Sequence, residues 1–202
     1  MMAAALFVTL SYLLGSLPTA QGVARLSRGV DLLRVGSGNV GALNAYRQLG
    51  PWPGAVVLAA DAGKGAMVLY LGRWLALPEA ALYAGAVAVV LGHNFSPFLG
   101  LRGGKGAATV LGVSAVMLWQ LTAVAVAAGL TVLVATRHVV LTLTVAFVLL
   151  NVLTIGTGQP PGVVALCLGQ SLLVAGTHLY RQGPEATSAL RRRRWAAFFR
   201  IE

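Results

Sequence analysis

Apolar residues come along this chain in long blocks, separated by short polar stretches rich in glycine and arginine. The first block runs from Ala3 to Gly15, and its membrane-embedded part extends to Pro18. Later blocks run from about Gly54 to Leu75, Glu79 to Gly92, Ala107 to Thr136, 139–155 and 162–179. Runs of this kind, apolar on every face and close to ~20 residues, are what a lipid-spanning helix needs. Between the first two blocks lies a polar loop, Leu17 to Pro53. Within it Gln21 to Ser27 predicts a short interfacial helix whose Arg25 and Arg28 reach headgroups. Pro51-Trp-Pro53 reads as a break at the membrane interface with Trp52 as an anchor, and Pro97 as a break closing the third block.

Composition agrees with the pattern. Of 202 residues, 57% are hydrophobic and only 10% charged, with mean hydropathy +0.80; a soluble domain carries roughly a quarter charged residues. The chain therefore reads as an all-α integral membrane protein, a single polytopic domain over 1–202 with a basic tail at 181–202. The net charge of +10 would indicate nucleic acid in a soluble chain, but here it follows cytoplasmic loops, so no nucleic-acid partner is expected. The N-terminus has no basic residue before the first apolar block, so that block is expected to be a retained helix rather than a cleaved signal. Cys167 is the single cysteine and lies in an apolar run, which excludes an internal disulfide and gives no metal-ligand spacing.

Charge also decides how many times the chain crosses. The stretch 107–136 is 30 residues, long for one span and short for two of ~20. If it enters and returns as two short helices, the chain has about seven membrane helices. The N-terminus is then outside, the C-terminus is cytoplasmic, and 13 of the 15 Lys and Arg lie on the cytoplasmic side. One long helix instead would put Arg191 to Arg194 outside, against the positive-inside rule. The Arg191–Arg194 run with Trp195, Phe198 and Phe199 is read as a tail on anionic headgroups.

Two glycine-rich cationic stretches carry the candidate chemistry. One is Gly92 to Thr109, with His93, Arg102, Gly103, Gly104, Lys105 and Gly106; glycine permits tight turns, and backbone amides beside Lys105 and Arg102 suit a phosphate. Lys105 is followed by Gly106 instead of Ser or Thr, so this is not a Walker loop. The other is Gly36 to Arg47, where Gly36, Ser37, Gly38, Asn39, Asn44 and Arg47 combine turn formers with hydroxyl, amide and guanidinium groups. Asp61 and Lys64 share one face of a span and are read first as a self-paired ion couple. His93 is a candidate base or a helix-end residue, and His138 beside Arg137 a loop charge.

These motifs resemble the bacterial membrane acyl-phosphate:glycerol-3-phosphate acyltransferases, the PlsY family. The resemblance is carried by Gly15-Ser-Leu-Pro18, Asp31 to Arg47, Asp61-Ala-Gly-Lys-Gly65, Gly92 to Thr109 and Thr136-Arg-His-Val-Val140. It implies a seven-helix fold with an active site on the cytoplasmic face of the bacterial membrane. The implied reaction moves an acyl group from acyl phosphate to the sn-1 hydroxyl of glycerol 3-phosphate, the first step of phospholipid synthesis, with neither cofactor nor metal. By position it implies catalytic roles for Lys105, Ser37, Arg47 and His178. It implies substrate or phosphate binding for Gly36, Gly38, Asn39, Asn44, His93, Arg102, Gly103, Gly104 and Gly106.

Two places depart from the family pattern. Val140 stands where the family usually carries serine. The third motif is degenerate: His178 is kept, but Arg181 replaces an asparagine and the segment before Glu185 is shorter. A non-catalytic paralogue that binds a phosphorylated lipid or regulates an active partner is the competing expectation. A small transporter, drawn from the intramembrane Asp61 and Lys64, has no inverted repeat behind it.

Overall fold

The computed structural model describes residues 1–191, and side chains through Arg181. The aromatic and arginine-rich end of the tail therefore lies outside the described residues. The described chain is helical: α1 (Met2–Ser16), α2 (Thr19–Arg28), α3 (Ala42–Leu49), α4 (Pro51–Trp74), α5 (Glu79–Asn94), α6 (Ala107–Met117), α7 (Trp119–Thr136), α8 (Val139–Gly156) and α9 (Pro161–Arg191), with a 3-10 turn at Pro97–Leu99. Among the described residues six stretches are long and apolar enough to cross a membrane, and α6 is a seventh, shorter apolar helix. The block at 107–136 is thus two helices, broken at Leu118 between α6 and α7. Contacts group the chain into two compact units, Met1–Met117 and the part from Leu118 onward, where the sequence offered no linker.

In the first unit α1 packs against α5, α4 against α6, and α3 against α4. Small and polar residues share the buried faces of these helices with a few valines and leucines such as Val57, Leu69, Val89 and Val113, while many other large apolar side chains face outward. On α1 the buried residues are Phe7, Ser11, Gly15 and Ser16, and Leu6, Leu10 and Leu13 are exposed. This is the arrangement expected in lipid, where helix association depends on close backbone approach and internal hydrogen bonds. A Cβ at Gly65 would strike the Thr109 carbonyl, and one at Gly112 the Ala62 carbonyl, so α4 and α6 cross at backbone contact. Trp52 and Trp74 stand exposed near the two ends of α4. Its 24 residues measure about 36 Å, enough to cross a hydrocarbon core of ~30 Å.

The expected break at Pro51-Trp-Pro53 is present, between the end of α3 at Leu49 and the start of α4: Pro51 is in the first turn of α4, where its missing N–H has no partner to lose. The turn is at Gly50, φ 105°. Within the supposed loop, Ala42–Leu49 is a helix, with Ala45 and Leu49 buried on one side.

The second unit holds α7, α8 and α9, packed α7 on α8 and α8 on α9. Asn151 on α8 donates to the Ser171 hydroxyl on α9 at 2.8 Å, a polar contact between apolar spans. Arg137 takes a left-handed conformation, φ 56°, and reverses the chain between α7 and α8. His178 and Arg181 lie on α9.

Candidate active site

The first membrane helix is broken on purpose. Pro18 has no N–H, so the helix cannot carry its hydrogen-bond ladder past Ser16, and α2 starts afresh at Thr19. The carbonyls freed at such a break must find donors, because no water reaches them in a bilayer. They do. Lys64 Nζ on α4 donates to the Leu17 carbonyl at 2.7 Å and approaches that of Gly15 at 3.5 Å. The Ser96 hydroxyl donates to the Ser16 carbonyl at 2.6 Å.

Lys64 is in turn held by Asp61. Its ammonium is 2.9 Å from Asp61 Oδ1 and 3.0 Å from the Thr19 hydroxyl, which itself donates to Asp61 Oδ1 at 2.6 Å. Both charged side chains are almost wholly buried, 5% and 2% exposed. The expected ion couple is present, and it does more than neutralise itself. An ammonium has three donors, and contacts to Leu17, Thr19 and Asp61 occupy all three. His93 Nδ1 on α5 reaches the same Asp61 oxygen at 3.5 Å.

The glycine loop rests on the end of α5. Gly103 N–H donates to the Asn94 carbonyl and Gly104 N–H to the His93 carbonyl, each at 3.0 Å. A Cβ at Gly104 would run into the His93 ring, so only glycine lets the chain lie this close. Two of the amides expected to face a phosphate are therefore spent on α5. Gly106, at φ 87°, turns the chain into α6 just after Lys105. Gly103, Gly104 and Gly106 are buried, Lys105 half-buried and Arg102 exposed.

The other glycine-rich stretch is organised by Asn44. Buried on α3, its amide donates to the carbonyls of Leu32, Val35 and Asn39 at 3.0–3.2 Å, and its oxygen accepts the Ser37 N–H at 3.3 Å. The Asn44 contacts named here are all to loop backbone, so in this structure Asn44 organises the loop. Gly36 and Gly38 take φ 60° and 68° on either side of Ser37, which is left exposed. Gln21 on α2 fixes the start of the loop through Asp31 and the Leu32 N–H. Asn39 is half-buried, and Arg47 stands exposed in the last turn of α3.

One cleft receives parts of both stretches. Val40 borders it from one, His93, Ser96, Gly103 and Gly104 from the other, with Thr19, Asp61 and Lys64 along its wall. Leu99 also packs on the apolar cluster of Ala20, Ala24, Val40 and Ala45, tying the loops to a common core. His178 belongs to the second unit, and its role is carried by the family resemblance alone. The sequence reading missed Ser16, Thr19 and Ser96 as parts of this site. The available signal was a proline ending an apolar run with a serine two residues before it.

Fold and cleft define a polytopic helical membrane protein with a buried ionic cluster beneath two cationic glycine-rich loops. Comparison with known proteins narrows this. Residues 5–182 match the family model described as glycerol-3-phosphate acyltransferase, and the chain belongs to that family. Glycerol-3-phosphate acyltransferase 4 of Dehalococcoides mccartyi is 40% identical over 87% of this chain and 95% of its own. A glycerol-3-phosphate acyltransferase of Thermus thermophilus is 39% identical over 88% of this chain and 89% of its own. Among solved structures, the glycerol 3-phosphate form of PlsY (YgiH), an integral membrane glycerol 3-phosphate acyltransferase, is similar with TM-score 0.84. It shares 32% identity and covers 95% of this chain and 94% of that one. The lysophosphatidic acid form of PlsY gives TM-score 0.82 at 30% identity.

Proposed function

We infer that this protein transfers the acyl group of an acyl phosphate to the sn-1 hydroxyl of glycerol 3-phosphate, releasing inorganic phosphate and leaving lysophosphatidate in the membrane. The observation that carries this reading is family membership across nearly the whole chain, joined to similarity with PlsY in its glycerol 3-phosphate and lysophosphatidic acid forms. The acyl phosphate donor follows from the family.

The chemistry fits the residues. The glycerol hydroxyl oxygen attacks the acyl carbonyl carbon, the carbon–oxygen bond to phosphate breaks, and the hydroxyl proton passes to a phosphate oxygen of the bound substrates. Phosphate is a good leaving group, so no covalent enzyme intermediate is needed. The protein's part is to hold two anions together and stabilise charge on the departing one. Lys105 is assigned the leaving phosphate, because it stands between the anchored Gly103–Gly104 turn and the start of α6. Ser37 and Arg47 are assigned the glycerol phosphate, supported by their exposure, Ser37 on the loop that Asn44 locks and Arg47 in the last turn of α3. A guanidinium matches a phosphate in bidentate fashion.

The distribution of basic residues supports a cytoplasmic face for these loops and for the C-terminus, an N-terminus outside, and a bacterial cytoplasmic membrane as the location. The test is direct. Purified protein in detergent, given acyl phosphate and glycerol 3-phosphate, should release inorganic phosphate and form lysophosphatidate. No release above the rate without glycerol 3-phosphate would return the chain to the non-catalytic reading.

A further inference from the structure

A contact path runs from the break in the first membrane helix to the loop that carries Lys105, and none of its charged members is needed to touch substrate. At one end Lys64 holds the Leu17 carbonyl and Thr19. In the middle Asp61 Oδ1 gathers Thr19, Lys64 and His93. At the other end the His93 carbonyl holds the Gly104 N–H, and the His93 ring lies against Gly104, one residue before Lys105. We propose that Asp61, Lys64 and His93 are positioning residues for acyl transfer, acting as a strut that fixes the Gly103–Gly104 turn and through it Lys105.

Two physical points favour a strut over a filler. A buried ion pair adds little stability compared with well-packed apolar residues of the same volume, so stability alone gives no reason for one here. A charge-assisted cluster does confine its members to a narrow geometry, which is what a cation aimed at a leaving group requires. The donors of Lys64 are already used, and Asp61 is closed off from solvent. Neither is disposed to be a ligand. His93 lines the cleft, but its part in this reading is to join Asp61 to the turn.

The proposal rests on the acyltransferase reading, and its test has one arm that uses turnover and one that does not. In the first, kcat and KM are measured by phosphate release for wild type, His93→Ala, His93→Asn and Asp61→Asn in purified full-length protein. His93→Ala removes the link to Asp61 while leaving the Asp61–Lys64 pair whole. It should lower kcat about 10²-fold, the scale of a slightly misplaced catalytic group, with KM for either substrate changed less than about threefold. Asparagine offers an amide donor near the position of Nδ1, so His93→Asn should recover kcat to within about fivefold of wild type. A His93→Asn variant as slow as His93→Ala would overturn the proposal, since the imidazole itself would then be doing the chemistry.

The second arm is amide hydrogen exchange of the segment 101–106. Exchange there should be at least about tenfold faster in His93→Ala and in Asp61→Asn, with α7 and α8 unchanged. Unchanged exchange in both variants overturns the strut, whatever the activity. If wild type releases no phosphate, the functional reading fails by itself, and the exchange arm still decides whether the strut holds the turn. Should Asp61→Asn fail to accumulate as folded protein, the two His93 variants decide both arms.

Discussion

Replacing Lys64 by methionine gives the sharpest test of how the broken first helix is held. The side chain keeps its length and loses its charge. Three contacts disappear, to the Leu17 carbonyl at 2.7 Å, Asp61 Oδ1 at 2.9 Å and the Thr19 hydroxyl at 3.0 Å. They do not weigh equally. The Leu17 carbonyl also accepts the Thr19 N–H at 2.9 Å, so it keeps a partner. Asp61 is left as a carboxylate 2% exposed, facing only a hydroxyl and an imidazole. Removing one partner of a buried ion pair costs about 3–5 kcal/mol, and this charge effect dominates. For a chain of this size each kcal/mol moves the melting midpoint by about 2–4 °C, so the expected fall is roughly 6–20 °C. The assay is thermal unfolding in detergent followed by tryptophan fluorescence. The paired variant Asp61→Leu with Lys64→Met removes the stranded charge and should recover more than half of the loss. Two results would refute the reasoning: a Lys64→Met midpoint within about 2 °C of wild type, or a double variant melting as low as the single one.

Three further outcomes follow from the same geometry. Lys105→Ala should fold and insert yet lose about 10²–10³ in kcat, the usual cost of removing one donor to a developing oxyanion; near-wild-type turnover at saturating substrate would withdraw its assignment. Asn44→Ala strands the Leu32 and Asn39 carbonyls and leaves Val35 only the Gly38 N–H, so cleavage by protease between 30 and 41 should speed up at least about tenfold, each unmet buried group costing ~1–3 kcal/mol. Cysteines at exposed Ser37, Leu101 and Ala76, with Cys167 replaced, should react with an impermeant thiol reagent on intact cells only at position 76; reaction at 37 and 101 instead would invert the proposed topology.

Much of this architecture can be read from residue order alone, and what cannot is instructive. Apolar blocks set the spans, and loop charge divided 107–136 into two helices, as α6 and α7 are. Helix α3 is harder to see, because Gly41 caps it without a side-chain bond and its eight residues carry Asn44, Tyr46 and Arg47. Its stability comes from packing on α4, a tertiary effect that no local propensity records. The glycines of the Lys105 loop were legible as a tight turn, but not the destination of their amides. That depended on α5 ending with the His93 and Asn94 carbonyls beneath them. Asp61 and Lys64 were legible as a pair, while the Leu17–Pro18 break they serve lies more than 40 residues away in sequence.

The length of α6 explains why such a loop can serve a reaction between a lipid-bound acyl group and a water-soluble acceptor. Its 11 residues measure about 16 Å, half a bilayer core. Where it meets α4 is settled by contacts: Gly65 meets Thr109, Ala62 meets Gly112, and Arg73 Nη1 reaches the Val116 carbonyl at 3.4 Å. α6 thus crosses α4 near its middle, around Ala62–Gly65, roughly 16–21 Å along the helix from Pro51. The Lys105 turn, just ahead of the first turn of α6, is therefore held well within the depth spanned by α4. Irregular backbone survives at such depth only when buried in protein or lining a polar cavity. Here the Gly103 and Gly104 amides are satisfied by α5, and the cleft wall is Thr19, Asp61 and Lys64. An acyl chain need not leave the hydrocarbon to bring its carbonyl carbon to this level. Lengthening α6 by a turn at its N-terminus would move Lys105 about 5 Å towards the Pro51 end. Such an insertion should abolish transfer while leaving the α4–α6 crossing intact.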